Sequence, residues 1–147
     1  MNFIKISNHT NCNCFENAVE NTDDSFIRRV RRSGNLNDSD FKNHIERNKI
    51  PEDLTDCEHV CGFHGVSIEI WNEVSSKPLM DKYLVTASFS PQIKKNLCVI
   101  RFKPNCGLVK YTPDQEEYNE YHYDFFKDDG FLVEKLDLVE MIELKVV

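Results

Sequence analysis

Short runs in which apolar and polar residues alternate one for one constrain this chain most. The clearest is Val66-Ser67-Ile68-Glu69-Ile70-Trp71, which puts Val66, Ile68 and Ile70 on one side and Ser67, Glu69 and Trp71 on the other. A period of two belongs to a strand with one buried face. Further segments at 26–31, 97–103, 107–112, 121–126 and 141–146 read as strands from alternation or from β-branched and aromatic content. The pair 97–103 and 107–112, joined through Pro104-Asn105-Cys106, reads as a hairpin. Helical signals are fewer. Lys77–Ser88 has Pro78 suited to a first turn and Leu79, Met80, Tyr83, Leu84 and Ala87 on one side. Ser39–Asn48 places Phe41, His44 and Ile45 on one face and must stop before Pro51. Short helical turns are read at Gln92–Lys95, Asp114–Glu120 and Lys135–Val139, and 51–65 reads as loop. Strands and helices do not alternate regularly. The expected fold class is therefore α+β: a mostly antiparallel sheet with a few short helices, not a doubly wound sheet.

At 147 residues the chain is the size of one domain, spanning 1–147. Residues 1–24, with Phe3-Ile4-Lys5-Ile6 as an edge strand or tail and then a polar stretch rich in Asn, are expected as a loosely attached N-terminal segment. No run approaches the ~18 apolar residues of a membrane-spanning helix, so no membrane partner is expected. The first residues show no apolar secretory core, which argues for the cytoplasm and for reduced thiols despite six cysteines. Lys and Arg number 18 against 25 Asp and Glu, a net charge of −7. That balance argues against nucleic acid as a partner, because phosphate contacts supply most of the affinity for a duplex. The local exception is Arg28-Arg29-Val30-Arg31-Arg32. It reads either as a solvated strand end or as an anion site for phosphate or a partner carboxylate, since guanidinium binds both bidentately.

Three constellations can carry chemistry. Cys57-Glu58-His59-Val60-Cys61-Gly62-Phe63-His64 packs two thiols and two imidazoles into eight residues. Cys57, His59, Cys61 and His64 are the right ligand types for zinc, although one short loop must turn sharply to converge them, and Cys12, Cys14, Cys98 or Cys106 are alternative ligands. Zinc is the one cofactor the chain suggests; none is otherwise expected. The competing readings are a plain loop with buried cysteines, or a Cys61 nucleophile beside His59 or His64. The second constellation is Asn119-Glu120-Tyr121-His122-Tyr123-Asp124, where His122 and Asp124 share a strand face and His122 is placed to act in acid–base chemistry. Seven acids between 114 and 129 against Lys127 alone also fit a merely solvated acidic face. The third is Gly65-Val66-Ser67-Ile68. Neither a phosphate-binding glycine loop nor a serine-hydrolase or zinc-protease motif is present.

Taken in order, Phe26-Ile27-Arg28-Arg29-Val30, Ser39-Asp40-Phe41, His64-Gly65-Val66-Ser67-Ile68 and Asn119-Glu120-Tyr121-His122 resemble a group of short uncharacterised bacterial proteins with an R-R-[VI] strand, an S-x-F segment, a G-x-S-[VI] strand and a late N-x-x-H. The order is also similar to ADP-ribosyltransferase-type folds. That likeness implies Arg28 and Arg29 holding phosphate, Ser67 orienting a nucleotide or NAD, and His122 as acid–base group, though no catalytic glutamate motif accompanies them. The reading that follows is a small cytosolic binding or accessory module whose partner is a protein or a small-molecule nucleotide. The alternatives are an ADP-ribosyltransferase-like enzyme and a zinc-stabilised interaction module.

Overall fold

In the computed structural model, which describes residues 1–31, 34–90, 95–114 and 119–145, six strands form one fully antiparallel sheet. They are β1 (Ser25–Val30), β2 (Val66–Trp71), β3 (Asn96–Phe102), β4 (Gly107–Tyr111), β5 (His122–Lys127) and β6 (Leu136–Glu143). The sheet order is β4-β5-β2-β1-β3-β6. Three α-helices accompany it: α1 (Ile4–Ser7), α2 (Cys57–His64) and α3 (Ser76–Phe89). The α+β reading with a mostly antiparallel sheet therefore holds, and five of the six strands fall within a residue of their expected limits. No helix among the described residues is long and apolar enough to cross a membrane.

Alternation sorts the side chains. Phe26, Val30, Val66, Ile68, Cys98, Ile100, Val109 and Phe125 share one face and form the larger core with Phe41, Phe102 and Leu136. On the other face Ile27, Leu97 and Val99 receive Leu79, Tyr83 and Ala87 of α3. Further along that face, Phe126 packs with Ile6, Cys14 and Cys61.

The expected hairpin of 97–103 with 107–112 is not formed. β4 pairs β5 at the far edge of the sheet, four places from β3. In a flat sheet four inter-strand spacings are ~19 Å. The five residue steps from Phe102 to Gly107 reach at most about 18 Å. The sheet must therefore curl, and the rings of Phe102 on β3 and Phe125 on β5 meet across its concave face, centroids 4.4 Å apart. Asn105 takes the left-handed turn conformation (φ 65°) within this connection. A side chain at Gly107 would run into the Phe126 carbonyl, 2.2 Å from its Cβ position.

Other local expectations change as well. Phe3–Ile6 is not an edge strand, since Ile4–Ser7 is helical. The helix expected over Ser39–Asn48 is only a 3-10 turn, Asp38–Phe41. Asn43 and Glu46 then bond each other's backbone N–H groups, and Asn48 turns left-handed (φ 63°), so the side chains compete with a continuous helix. Within 51–65, read as loop, α2 forms because the Asp56 carboxylate accepts from the His59 N–H at its start. The final strand begins at Leu136, five residues before the expected 141, so Lys135–Val139 is not a helical turn. The turns expected at Gln92–Lys95 and Asp114–Glu120 lie largely outside the described residues, as does Arg32.

The N-terminal segment, expected to be loose, is fastened at several points. Asp128 and Asp129 accept the backbone N–H groups of Asn2, Ile4 and Lys5. Val19 bridges to Val109 on β4. Two disulfides, Cys12–Cys57 and Cys14–Cys61, tie the segment to α2. The Cys14 N–H donates to the Cys12 carbonyl in a tight turn, and Cys57 and Cys61 lie about one turn apart on α2, so the two bonds run side by side. The expectation of reduced thiols is corrected for these four residues; Cys98 and Cys106 remain free and buried.

Candidate functional site

The face of β2, β5 and β4 that α3 leaves uncovered is the floor of a cleft of about 730 Å³ walled by α2. Strand register builds this floor in rows. Ser67, Asp124 and Lys110 lie opposite one another across β2, β5 and β4. In the next row Glu69 lies opposite His122, whose carbonyl accepts from the Thr112 N–H. Ser67 and His122 are thus diagonal neighbours, roughly 7–8 Å apart at Cα. Asp56, Glu58, His59 and Asp114 line the cleft as well.

Asp124 is the most perturbed group on this floor. It is 6 % exposed, and burial pushes its carboxyl up to about 6, against the opposing pull of His122, the Thr112 hydroxyl and Lys110. Gly65 makes room for it: a Cβ at that position would stand 2.7 Å from the Asp124 Cβ. His122 Nδ1 lies 2.8 Å from the Thr112 carbonyl oxygen and 2.9 Å from its hydroxyl. A carbonyl only accepts, so Nδ1 carries the proton and Nε2 is the nitrogen left to exchange one. Beside the cleft, buried Glu69 accepts from the Tyr83 hydroxyl, from Asn119 Nδ2 at 2.8 Å and from Lys82 Nζ at 3.3 Å. Burial first, and then the Glu69 charge, drive the Tyr83 hydroxyl far above its ordinary range.

Ser67 and His122 are brought together, as the sequence suggested. The two arginines assigned with them are not. Arg28 and Arg29 are consecutive in β1 and point to opposite faces. Arg28 lies over the Phe41 ring and donates to the carbonyls of Asp40 (2.8 Å) and Ser67 (2.7 Å). Arg29 stacks on the Tyr83 ring at 4.7 Å, and its buried Nε has no partner among the described residues. Neither lines the cleft, so their joint role in holding phosphate there is withdrawn.

The zinc set is corrected too. Cys57 and Cys61 spend their sulfurs in disulfides and have no thiolate to offer a metal, or, for Cys61, a substrate. His59 Nε2 accepts from the Glu52 N–H at 3.2 Å, and His64 is buried edge-on against His9. Among the described residues no three His, Cys, Asp or Glu side chains converge as a metal site. The free thiols are held protonated by burial, Cys98 pushed up to about 12 and Cys106 to about 11.

Sequence reasoning put Asp124 on the face of His122 but did not single it out, and it missed Glu69, Thr112 and Lys110. The available signal was the polar side of the 66–71 alternation, Ser67 and Glu69, which needs a partner strand of matching character; Tyr121–Asp124 is one. Compared with known proteins, the chain matches no family model, no curated protein and no solved structure.

Proposed function

We propose that this protein is a small binding module whose cleft over β2, β5 and β4 takes a small polar ligand carrying a cationic amine or amidine group. The observation that carries this reading is the Asp124 carboxyl, buried at the cleft floor and disfavoured as an anion by that burial. A ligand cation or N–H donor placed against it restores what burial removes, and Asp56, Glu58 and Asp114 add negative charge along the lining, where Lys110 is the one lysine or arginine. The volume of about 730 Å³ lies within the range of small-molecule sites. The two disulfides weigh toward an oxidising compartment rather than the cytosol first expected.

Titration of ¹⁵N-labelled protein with putrescine, methylguanidine, glucose and acetate tests the ligand class. The expected result is saturable shifts at Ser67, His122 and Asp124 with the two cations only, abolished by Asp124→Asn. Shifts with acetate or glucose alone, or none with any probe, overturn it.

A second reading, acid–base catalysis, is favoured by the nearness of Ser67, His122 and Asp124 and by a carboxyl poised near neutral pH. It is the enzyme alternative without its arginines. NAD hydrolysis or transfer lost in both His122→Gln and Asp124→Asn supports it; no turnover of NAD by the intact protein removes it.

A further inference from the structure

A second pocket, of about 340 Å³, lies beside the end of β1 and is lined by Arg31, Ser39, Asp40, Lys42 and Arg47. It shares no lining residue with the cleft. Three of its five residues are cations, in a chain whose net charge is −7. Ion pairs among the described residues engage Lys77, Lys82, Lys103, Lys127 and Lys135, and none of these three. Asp40, the one acid present, is buried with its carboxylate turned to backbone: Oδ2 accepts from the Asn37 N–H at 2.9 Å and Oδ1 from the Arg31 N–H at 3.5 Å.

Arg28 adds a fourth charge behind this wall. Its guanidinium is fixed by the Asp40 and Ser67 carbonyls rather than by a carboxylate. Burial, and next the charge of Arg47, lower it to about 10. The same field reaches His44, lowered by burial first and then by Lys49, Arg47 and Arg28. Four cations gather around the Asp40 carboxylate, and among the described residues none of Arg31, Lys42 and Arg47 forms an ion pair, although Lys42 also borders a neighbouring pocket that holds Asp38 and Glu46.

We propose that this pocket, formed by Arg31, Lys42, Arg47 and Ser39, binds a phosphate-type dianion, free or as a phosphomonoester. Two guanidinium forks match the tetrahedral oxygens bidentately, the lysine adds a mobile point charge, and the Ser39 hydroxyl donates to a further oxygen. A polyanion is disfavoured by the acidic remainder of the surface. The site is independent of the ligand proposed for the cleft.

The test is an amide-shift titration of the oxidised full-length protein with inorganic phosphate and with adenosine monophosphate, each against sodium chloride at matched ionic strength. Saturable shifts at Arg31, Ser39, Lys42 and Arg47 are expected at millimolar concentration or below. Tighter binding of the nucleotide identifies a phosphomonoester, and tighter binding of phosphate identifies the free ion. Arg47→Gln and Lys42→Gln should each weaken binding by about tenfold. Both side chains are exposed, so the variants keep the fold, which unchanged putrescine shifts at Asp124, or an unchanged amide spectrum elsewhere, verifies. Shifts no larger than those with chloride, or shifts that both variants retain in full, overturn the proposal.

Discussion

Between pH 4 and 6 the Asp124 carboxyl ionises more readily in the unfolded chain than in the folded one, because the fold buries it between β2 and β4. Below its ordinary value of 3.8 both states hold the proton, and the group does not affect stability. As the pH rises to about 6 the unfolded state releases its proton first, so stability falls, by roughly 2–3 kcal/mol in all for a shift of about two units. Asp124→Asn removes this dependence. Urea unfolding at several pH values should show wild type losing stability relative to the variant across that window, with a flat difference above it; a difference curve flat throughout contradicts the burial. Gly65→Ala acts on the same group, since the new methyl would overlap the Asp124 side chain. It should cost about 1–3 kcal/mol and perturb the Asp124 titration, read by carboxyl carbon chemical shifts. Both effects were illegible in the sequence for one reason. Alternation tells which face Asp124 takes, but its burial depends on Lys110 and Gly65, which arrive from other parts of the chain.

Strands that alternate were legible because their period is local; α2 was not, because what makes it a helix is partly elsewhere. Eight residues with Gly62 in the middle are too short to persist alone. Asp56 starts the helix, and the bonds from Cys57 and Cys61 to Cys12 and Cys14 hold it against the sheet. The same cysteines and histidines looked like a metal cluster, since ligand chemistry and disulfide chemistry use the same residue. β6 was misplaced for a related reason. A bulge where it passes Val99 and Ile100 breaks its alternation, so only its second half showed a period of two. The disulfides close loops with sequence separations of 45 and 47. Loops of that size contribute about 4 kcal/mol for the first bond and less for the second, which it already constrains. Reduction should therefore lower the melting temperature by roughly 10 °C, and thiol titration of the unreduced, denatured protein should find two thiols, Cys98 and Cys106. Six reactive thiols, or a melting point indifferent to reductant, would contradict the pairing.

The connection from β3 to β4 decides the shape of the whole molecule. Pro104-Asn105-Cys106 looked like a hairpin loop because loops of that length usually join neighbours. Here the chain leaves one side of the sheet and re-enters at its opposite edge, which only a curled sheet permits. Side chains that span the curl hold it: Phe102 against Phe125, Phe26 against both Phe102 and Tyr123, and the Cys106 thiol donating to the Lys135 carbonyl at 2.8 Å. The curl leaves the convex face too broad for α3 alone, so the cleft forms where α3 ends its cover and α2 begins. Energetic coupling between β3 and β5 tests this directly. They are separated in the sheet by β1 and β2, so in a flat sheet they would stand about 14 Å apart, and substitutions on them would add independently. In the curled sheet Phe102→Ala and Phe125→Ala each cost roughly 3–5 kcal/mol, and each also removes the other's ring partner. Together they should cost less than the sum by about 1 kcal/mol, the interaction of an aromatic pair in contact. Where the alanine variants are too unstable to measure, Phe102→Leu and Phe125→Leu keep most of the volume and still remove the ring pair. Strict additivity in both cycles would mean the rings do not meet and the sheet is not curled across the β3–β4 connection.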